Sequence, residues 1–218
     1  MASPPIGRLF RKGKKRIGDC YRWLIDVKFD LLNGVDTSGY IVAEKLGLDR
    51  SAHEYIACAE HTILSAFALL PIDFGEFALI DLGCGKGRVL IVAAKRFSFR
   101  QIIGVEISEQ LVQIARHNVR NFGNVSVVTC DAAHYDVPGE PCVVFLANPF
   151  EADILSAVIS KLEQRSKYSS CPFYVLYVVP QFQELLDKAP FLQRLPSPAF
   201  CAVYASVLFG ESAVGTSM

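Results

Sequence analysis

Hydrophobic positions along the chain change their period several times, and each change marks an element. Phe77-Ala-Leu-Ile80 is an apolar run that reaches Asp81 and is followed by glycines at alternate positions, Gly83, Gly85 and Gly87. Val89, Leu90, Val92 and Ala93 then recur with helical spacing. The pattern predicts a strand, a tight glycine turn and a helix. Glycine suits that turn because its backbone enters positive φ freely and leaves no Cβ between the main chain and a ligand. Free N–H groups at the start of the following helix favour anionic or strongly polar groups.

The same reading extends along the chain. Gln101–Glu106 predicts a second strand ending in a carboxylate, and Ser108 caps a helix to about Phe122 whose inward positions are Leu111, Val112, Ile114, Ala115 and Val119. Val125–Thr129 is the third strand, with Asp131 just beyond it. Pro141–Ala147 is an apolar run suited to a strand buried on both faces, and Asn148-Pro149-Phe150 follows it. A helix over Glu151 to about Lys167, a fifth strand from Phe173 to the residue before Pro180, and a short helix to Ala189 come next. The last two strands, separated by Pro196-Ser-Pro198, suit an antiparallel hairpin. Upstream, Tyr21, Trp23, Leu24, Val27, Phe29 and Leu31 predict an amphipathic helix, Gly34-Val-Asp-Thr-Ser-Gly39-Tyr40 a turn, and Ser51 with Glu54 the start of a second helix running to Leu70. The expected fold class is α/β: a doubly wound, seven-stranded, mostly parallel sheet with an antiparallel last strand, helices on both faces and an N-terminal helical cap. The expected division is a basic arm over 1–20, a helical cap over 21–70 and a Rossmann-like core over 71–218.

Composition narrows the function classes. With 51% hydrophobic and 20% charged residues in 218, the chain can bury a substantial core. Its formal net charge is zero, which gives no global attraction to nucleic acid or anionic lipid. Positive charge gathers at Arg8, Arg11, Lys12, Lys14, Lys15 and Arg16, opposed there by Asp19 alone. That run reads as a solvated, partly disordered arm, with an acidic partner, RNA or a membrane surface as the functional alternative. Seven cysteines without a C-x-x-C pair argue against a disulfide framework or zinc site and fit a reducing, cytoplasmic setting; no metal is expected. No signal-peptide core follows the basic residues, and no apolar run reaches the ~20 residues of a membrane span.

The glycine spacing decides which ligand the turn suits. Dinucleotide enzymes carry G-x-G-x-x-G, which would place the third glycine at Arg88, whereas this chain has it at Gly87. A nucleotide-dependent oxidoreductase is therefore disfavoured. Asp81 with Gly83, Gly85 and Gly87, then Glu106 closing the second strand, Asp131 after the third and Asn148-Pro149-Phe150 after the fourth resemble, in that order, the motifs of the class I S-adenosylmethionine-dependent methyltransferases. The resemblance spans about residues 77 to 209.

This resemblance implies S-adenosyl-L-methionine as cofactor and S-adenosyl-L-homocysteine as product. The implied cofactor residues are Asp81, Gly83, Cys84, Gly85, Gly87, Glu106, Ile107, Asp131, Ala132 and Asn148. Glu106 is expected on the ribose hydroxyls, Asp131 on the adenine amino group with the backbone around Ala132 at the ring edge, and Asp81 on the amino-acid end. The acceptor side is expected to use Asn148, Pro149, Phe150 and Tyr55, with Asp36, Thr37, Glu60 and His61 as further candidates from the segment before the first core strand. Lys86 and Arg88 read equally well as structural charges and as cofactor contacts.

Asn148-Pro149-Phe150 is similar to the Asn/Asp-Pro-Pro-aromatic motif of amino-group methyltransferases but lacks the second proline. The glycine motif is also similar to that of Dot1-like, protein-lysine-type enzymes and of bacterial members without an assigned acceptor. The expectation is N-methylation of a protein side chain or small-molecule amine by direct in-line transfer. A nucleic-acid amino group and a non-catalytic, cofactor-binding partner subunit remain as alternatives.

Overall fold

The structure is a computed structural model that describes residues 24–41 and 55–207. The basic arm and the N-cap expected at Ser51 lie outside the described residues. Helix α1 covers residues 24–33. A two-residue strand, β1 (Tyr40–Ile41), pairs antiparallel with β2 (Tyr55–Ile56), and helix α2 (Glu60–Phe67) leads to the core.

The core alternates β3 (Ala78–Leu82), α3 (Arg88–Arg96), β4 (Gln101–Glu106), α4 (Glu109–Val119), β5 (Val125–Thr129), β6 (Cys142–Leu146), α5 (Ala152–Tyr168), β7 (Phe173–Val178), α6 (Gln183–Asp187), β8 (Leu192–Leu195) and β9 (Cys201–Ser206). The seven strands lie in the order β5-β4-β3-β6-β7-β9-β8. β3 to β7 run parallel to one another, while β9 runs antiparallel to both β7 and β8. This is the expected doubly wound sheet with an antiparallel last strand.

Every residue of β3 and β6 is buried, which explains why their sequences are continuous apolar runs rather than alternating ones. Alternate residues serve opposite faces. Leu79, with Phe67, Leu90, Val112 and Phe145, builds one core layer; Ile80 and Leu82, with Val144, Leu155, Val158 and Tyr177, build the other. Phe67 anchors α2 by ring contacts with Phe74, Phe97, Phe99 and Phe145 at centroid distances of 4.9–6.2 Å. Successive strands run outward in one direction from β3 to β5 and in the other from β6 to β7. The carboxyl ends of β3 and β6 therefore flank the crevice where ligands of such sheets bind.

The upstream helix departs from its expected limits. Tyr55 and Ile56 are extended rather than helical, and α2 begins only at Glu60. Tyr55 is pulled out of a local helix by long-range partners: its hydroxyl donates to the Thr37 carbonyl at 2.6 Å and its ring lies on Gly85. The helix also stops before Leu70, because a residue preceding proline, here Pro71, is disfavoured in the α conformation.

Candidate active site

The glycine turn joins β3 to α3. Gly83, Gly85 and Gly87 have φ values of 80, 53 and 86°. The N–H groups of Gly83 and Cys84 both donate to the Val105 carbonyl, at 2.8 and 3.0 Å, which hooks the turn over the end of β4. Two of these glycines are also required sterically. A Cβ on Gly83 would lie 2.5 Å from Pro149 Cβ, and one on Gly85 would lie 2.3 Å from the Tyr55 ring. Tyr55 and the Asn148-Pro149-Phe150 turn thus cover the glycine turn from two sides.

Two carboxylates converge below it. Glu106 accepts from Gly85 N–H through Oε2 and from Ser108 N–H through Oε1, each at 2.9 Å. Burial raises its pKa, and the bonds from Ser108 and Gly85 oppose that rise. Asp81 is 2% exposed, and its Oδ2 has no hydrogen-bond partner among the described residues. Burial first, and the Glu106 charge second, push the Asp81 carboxyl up to about 8. A buried acceptor with one oxygen unpartnered is suited to a donor from a ligand, and a cationic donor would return it to its ionised form.

The segment before β2 is bolted to the far side of the turn. Arg88, at the first position of α3, is 3% exposed; its Nε donates to Thr37 Oγ1 at 2.7 Å and its guanidinium pairs with Asp26. Its Nη2 lies 3.7 Å from Asp30 Oδ1, an ion-pair distance too long for a hydrogen bond. Asp30 in turn accepts from the Thr37 hydroxyl and from the N–H groups of Thr37 and Ser38, at 2.6–2.9 Å. Lys86 Nζ donates to Asp36 Oδ1 and to the Ser38 carbonyl, each at 2.8 Å, and lies 5.6 Å from the Tyr55 ring centroid. These contacts explain the Gly34–Gly39 stretch: Asp36 and Thr37 hold the chain in place, Asp36 as the ion-pair partner of Lys86 and Thr37 as hydrogen-bond acceptor from Arg88.

The other candidates fall in different places. Asp131 caps the short 3-10 turn Ala132–His134, accepting from Ala133 N–H at 2.9 Å and lying 3.2 Å from His134 Nδ1. Ala132 is buried, and Ile107 is left 44% exposed beside Glu106. Asn148 has a left-handed backbone with φ 49°, and its Oδ1 accepts from the Tyr177 hydroxyl at 3.0 Å. Glu60 turns instead to Arg96 at the opposite end of α3, at 3.5 Å, and His61 is exposed beside Thr62. Neither is brought to the glycine turn.

Three contributors are not singled out by the sequence reading. Asn118 bridges the Asp36 and Lys86 carbonyls with its amide nitrogen, at 2.8 and 2.9 Å. Its signal was available: an asparagine in register with Leu111 and Ala115 on the inward stripe of α4 must find buried partners. Gly104 leaves room for Cys84 Sγ, which would sit 2.7 Å from a Cβ there. Tyr177 reads only as one apolar residue of a strand until its hydroxyl is seen on Asn148.

Residues 79–166 match a family described as a methyltransferase domain. A protein-lysine N-methyltransferase from Saccharolobus islandicus is 35% identical over 105 residues, 48% of this chain and 56% of that protein. A ribosomal protein L11 methyltransferase from Thermotoga petrophila is 43% identical over 59 residues, 27% of this chain and 22% of that protein. The chain thus spans about half or less of the length of these relatives. Among solved structures, a precorrin-6y C5,15-methyltransferase from Geobacter metallireducens superposes with a TM-score of 0.51 at 15% identity, over 69% of this chain and 90% of that one, a likeness of fold.

In sheet order, glycine turn and these matches the chain is similar to the class I, Rossmann-like methyltransferases. The match to a methyltransferase domain covers residues 79–166, from β3 through most of α5. No described helix is long and apolar enough to cross a membrane.

Proposed function

We propose that this chain binds S-adenosylmethionine across Gly83–Gly87 and transfers its methyl group to an amine nitrogen of a protein side chain or small molecule. The observation that carries the reading is Asp81: a buried carboxylate with an unpartnered oxygen beneath a glycine turn suits the ammonium of the cofactor's amino-acid end. Glu106 holds Gly85 and Ser108 with one bond to each oxygen and keeps lone pairs on both for the ribose hydroxyls. Asp131 and the Ala132 backbone would take the adenine edge, with exposed Ile107 supplying an apolar surface for the ring. Cys84 and the turn backbone line the amino-acid end.

When bound, the cofactor supplies a methyl group already activated by its sulfonium, so the chain's own task is positioning and exclusion of water. Tyr55, Pro149 and Phe150 cover the turn and keep it dry. Asn148, held in an unusual backbone conformation at the end of β6, orients the amine. The protein-lysine relative is consistent with an amine acceptor.

Calorimetric titration with S-adenosylmethionine and with S-adenosylhomocysteine tests the reading. Both ligands should bind the full chain, and Glu106→Ala should weaken both at least tenfold. A folded wild type that binds neither would remove the cofactor assignment.

A further inference from the structure

β6 and β7 are parallel neighbours with Leu146 beside Tyr177, so two residues further on Asn148 and Val179 leave the sheet side by side. Both have left-handed backbones, with φ 49 and 52°, and among the described residues no other non-glycine residue has positive φ. Each is followed by a proline, Pro149 and Pro180, and each turn then supplies an aromatic ring, Phe150 and Phe182. The Tyr177 hydroxyl ties the turns together by donating to Asn148 Oδ1 at 3.0 Å and accepting from Phe182 N–H at 3.4 Å. The acceptor-side turn therefore has a twin.

The two residues differ in what the conformation costs. Asparagine tolerates a left-handed backbone; a β-branched valine does not, and its presence there marks strain. Val179 is also 58% exposed, so core packing does not account for it. Glycine or asparagine would relieve the backbone, and a polar residue would suit the solvent better. Strain held in place at the edge of a site points to a use for the side chain.

We infer that Val179 and Phe150 form the apolar wall of an acceptor subsite between the twin turns, and that the subsite takes an alkylamine of the kind that ends a lysine side chain. This deepens the amine-transfer reading and rests on it. The polar surroundings fit a cation. Glu151 follows Phe150 directly and is exposed. Glu184, also exposed at the start of α6, is close enough to Tyr177 for its charge to act on the hydroxyl there. An ammonium head would meet carboxylates while its methylenes lie on Val179 and Phe150.

The probe is n-butylamine, with n-butanol as its uncharged counterpart, titrated into the full chain labelled with ¹³C at valine methyls. The Val179 signals are identified by their loss in Val179→Asn. The amine should shift the Val179 methyls saturably, with an affinity at least tenfold above that of the alcohol. No saturable shift, or an equal response to the alcohol, overturns the subsite. Val179→Gly should melt about 2–8 °C higher as the strain is removed. It should bind the amine about tenfold more weakly, read from the Asn148 side-chain amide. A glycine variant that is stabilised and keeps the full amine affinity overturns the role of Val179. The titration needs no methyl donor, so failure of cofactor binding would sink the methyltransferase reading while leaving this result to be judged separately.

Discussion

Asp36 and Asn118, from segments 82 positions apart, exchange a reciprocal pair of hydrogen bonds: Asp36 N–H donates to Asn118 Oδ1 at 3.0 Å, and Asn118 Nδ2 donates to the Asp36 carbonyl at 2.8 Å. The same amide nitrogen reaches the Lys86 carbonyl, so one side chain fixes the N-terminal segment and the glycine turn to α4 together. Asn118→Leu fills the volume but leaves buried backbone groups unpaired, at about 1–3 kcal/mol for each one lost. The expected result is a lower melting temperature, with donor affinity falling further than it does for surface variants of α4. Thermal melts paired with S-adenosylmethionine titration check both parts. An unchanged donor affinity in a destabilised protein would show that the segment is fastened for stability alone.

Arg88 carries the larger share of that attachment. It is buried against Asp26 and Asp30, so Arg88→Met leaves two carboxylates in a poorly solvated place with no counter-charge. Breaking a buried pair from one side costs about 3–5 kcal/mol. Replacing Asp26 and Asp30 by asparagine in the same protein should recover part of the loss, because the uncompensated charge goes with them. Denaturant unfolding of the single and triple variants measures this. A single variant as stable as wild type would contradict the buried ion cluster.

The core was legible because its signals are local and strong. Apolar runs of strand length, a glycine turn and Ser108 ahead of α4 yield the strands and helices with ends displaced by a few residues, and the alternation of strand and helix yields the sheet. The hairpin at β8 and β9 was equally plain from its prolines. Tyr55 was misread as helical because the forces acting on it are distant: a hydroxyl bond to Thr37 and a glycine surface at position 85 override the local pattern. Lys86 and Arg88 read from the sequence as structural charges or as cofactor contacts alike, and only the packed structure reveals Asp26, Asp30 and Asp36 around them. Nothing in the period of β7 distinguishes Tyr177 from its apolar neighbours, since the hydroxyl's partner lies 29 positions away.

Gly85→Ala should be costly twice over. The alanine would have to adopt φ 53°, and its Cβ would press into the Tyr55 ring at 2.3 Å. Strain of this kind costs about 1–3 kcal/mol before any displacement of the tyrosine. Combining it with Tyr55→Ala removes the clash but not the backbone strain, so stability should return only in part. Melting temperatures of the two single variants and the double variant give the coupling between the sites. Strict additivity would mean that Tyr55 does not rest on the turn.

Asp81 sets a pH dependence whose sign follows from its environment. Its carboxyl is pushed from an ordinary 3.8 up to about 8 by burial and by Glu106, so between these values the folded protein holds a proton that the unfolded chain has released. This group's contribution to stability is full below about pH 4 and is lost progressively as pH rises through about 8. Asp81→Asn should flatten that part of the profile and, above pH 8, melt higher than wild type. The same substitution should weaken donor binding, since a neutral amide cannot answer an ammonium as a carboxylate does. If the proposed contact is right, donor binding at pH 7 should also expel the Asp81 proton, making the binding enthalpy vary with the ionisation enthalpy of the buffer. Titrations in phosphate and Tris, with Asp81→Asn as the control, read that proton directly. A wild-type enthalpy that does not depend on the buffer would show that the ligand's charge does not settle on Asp81.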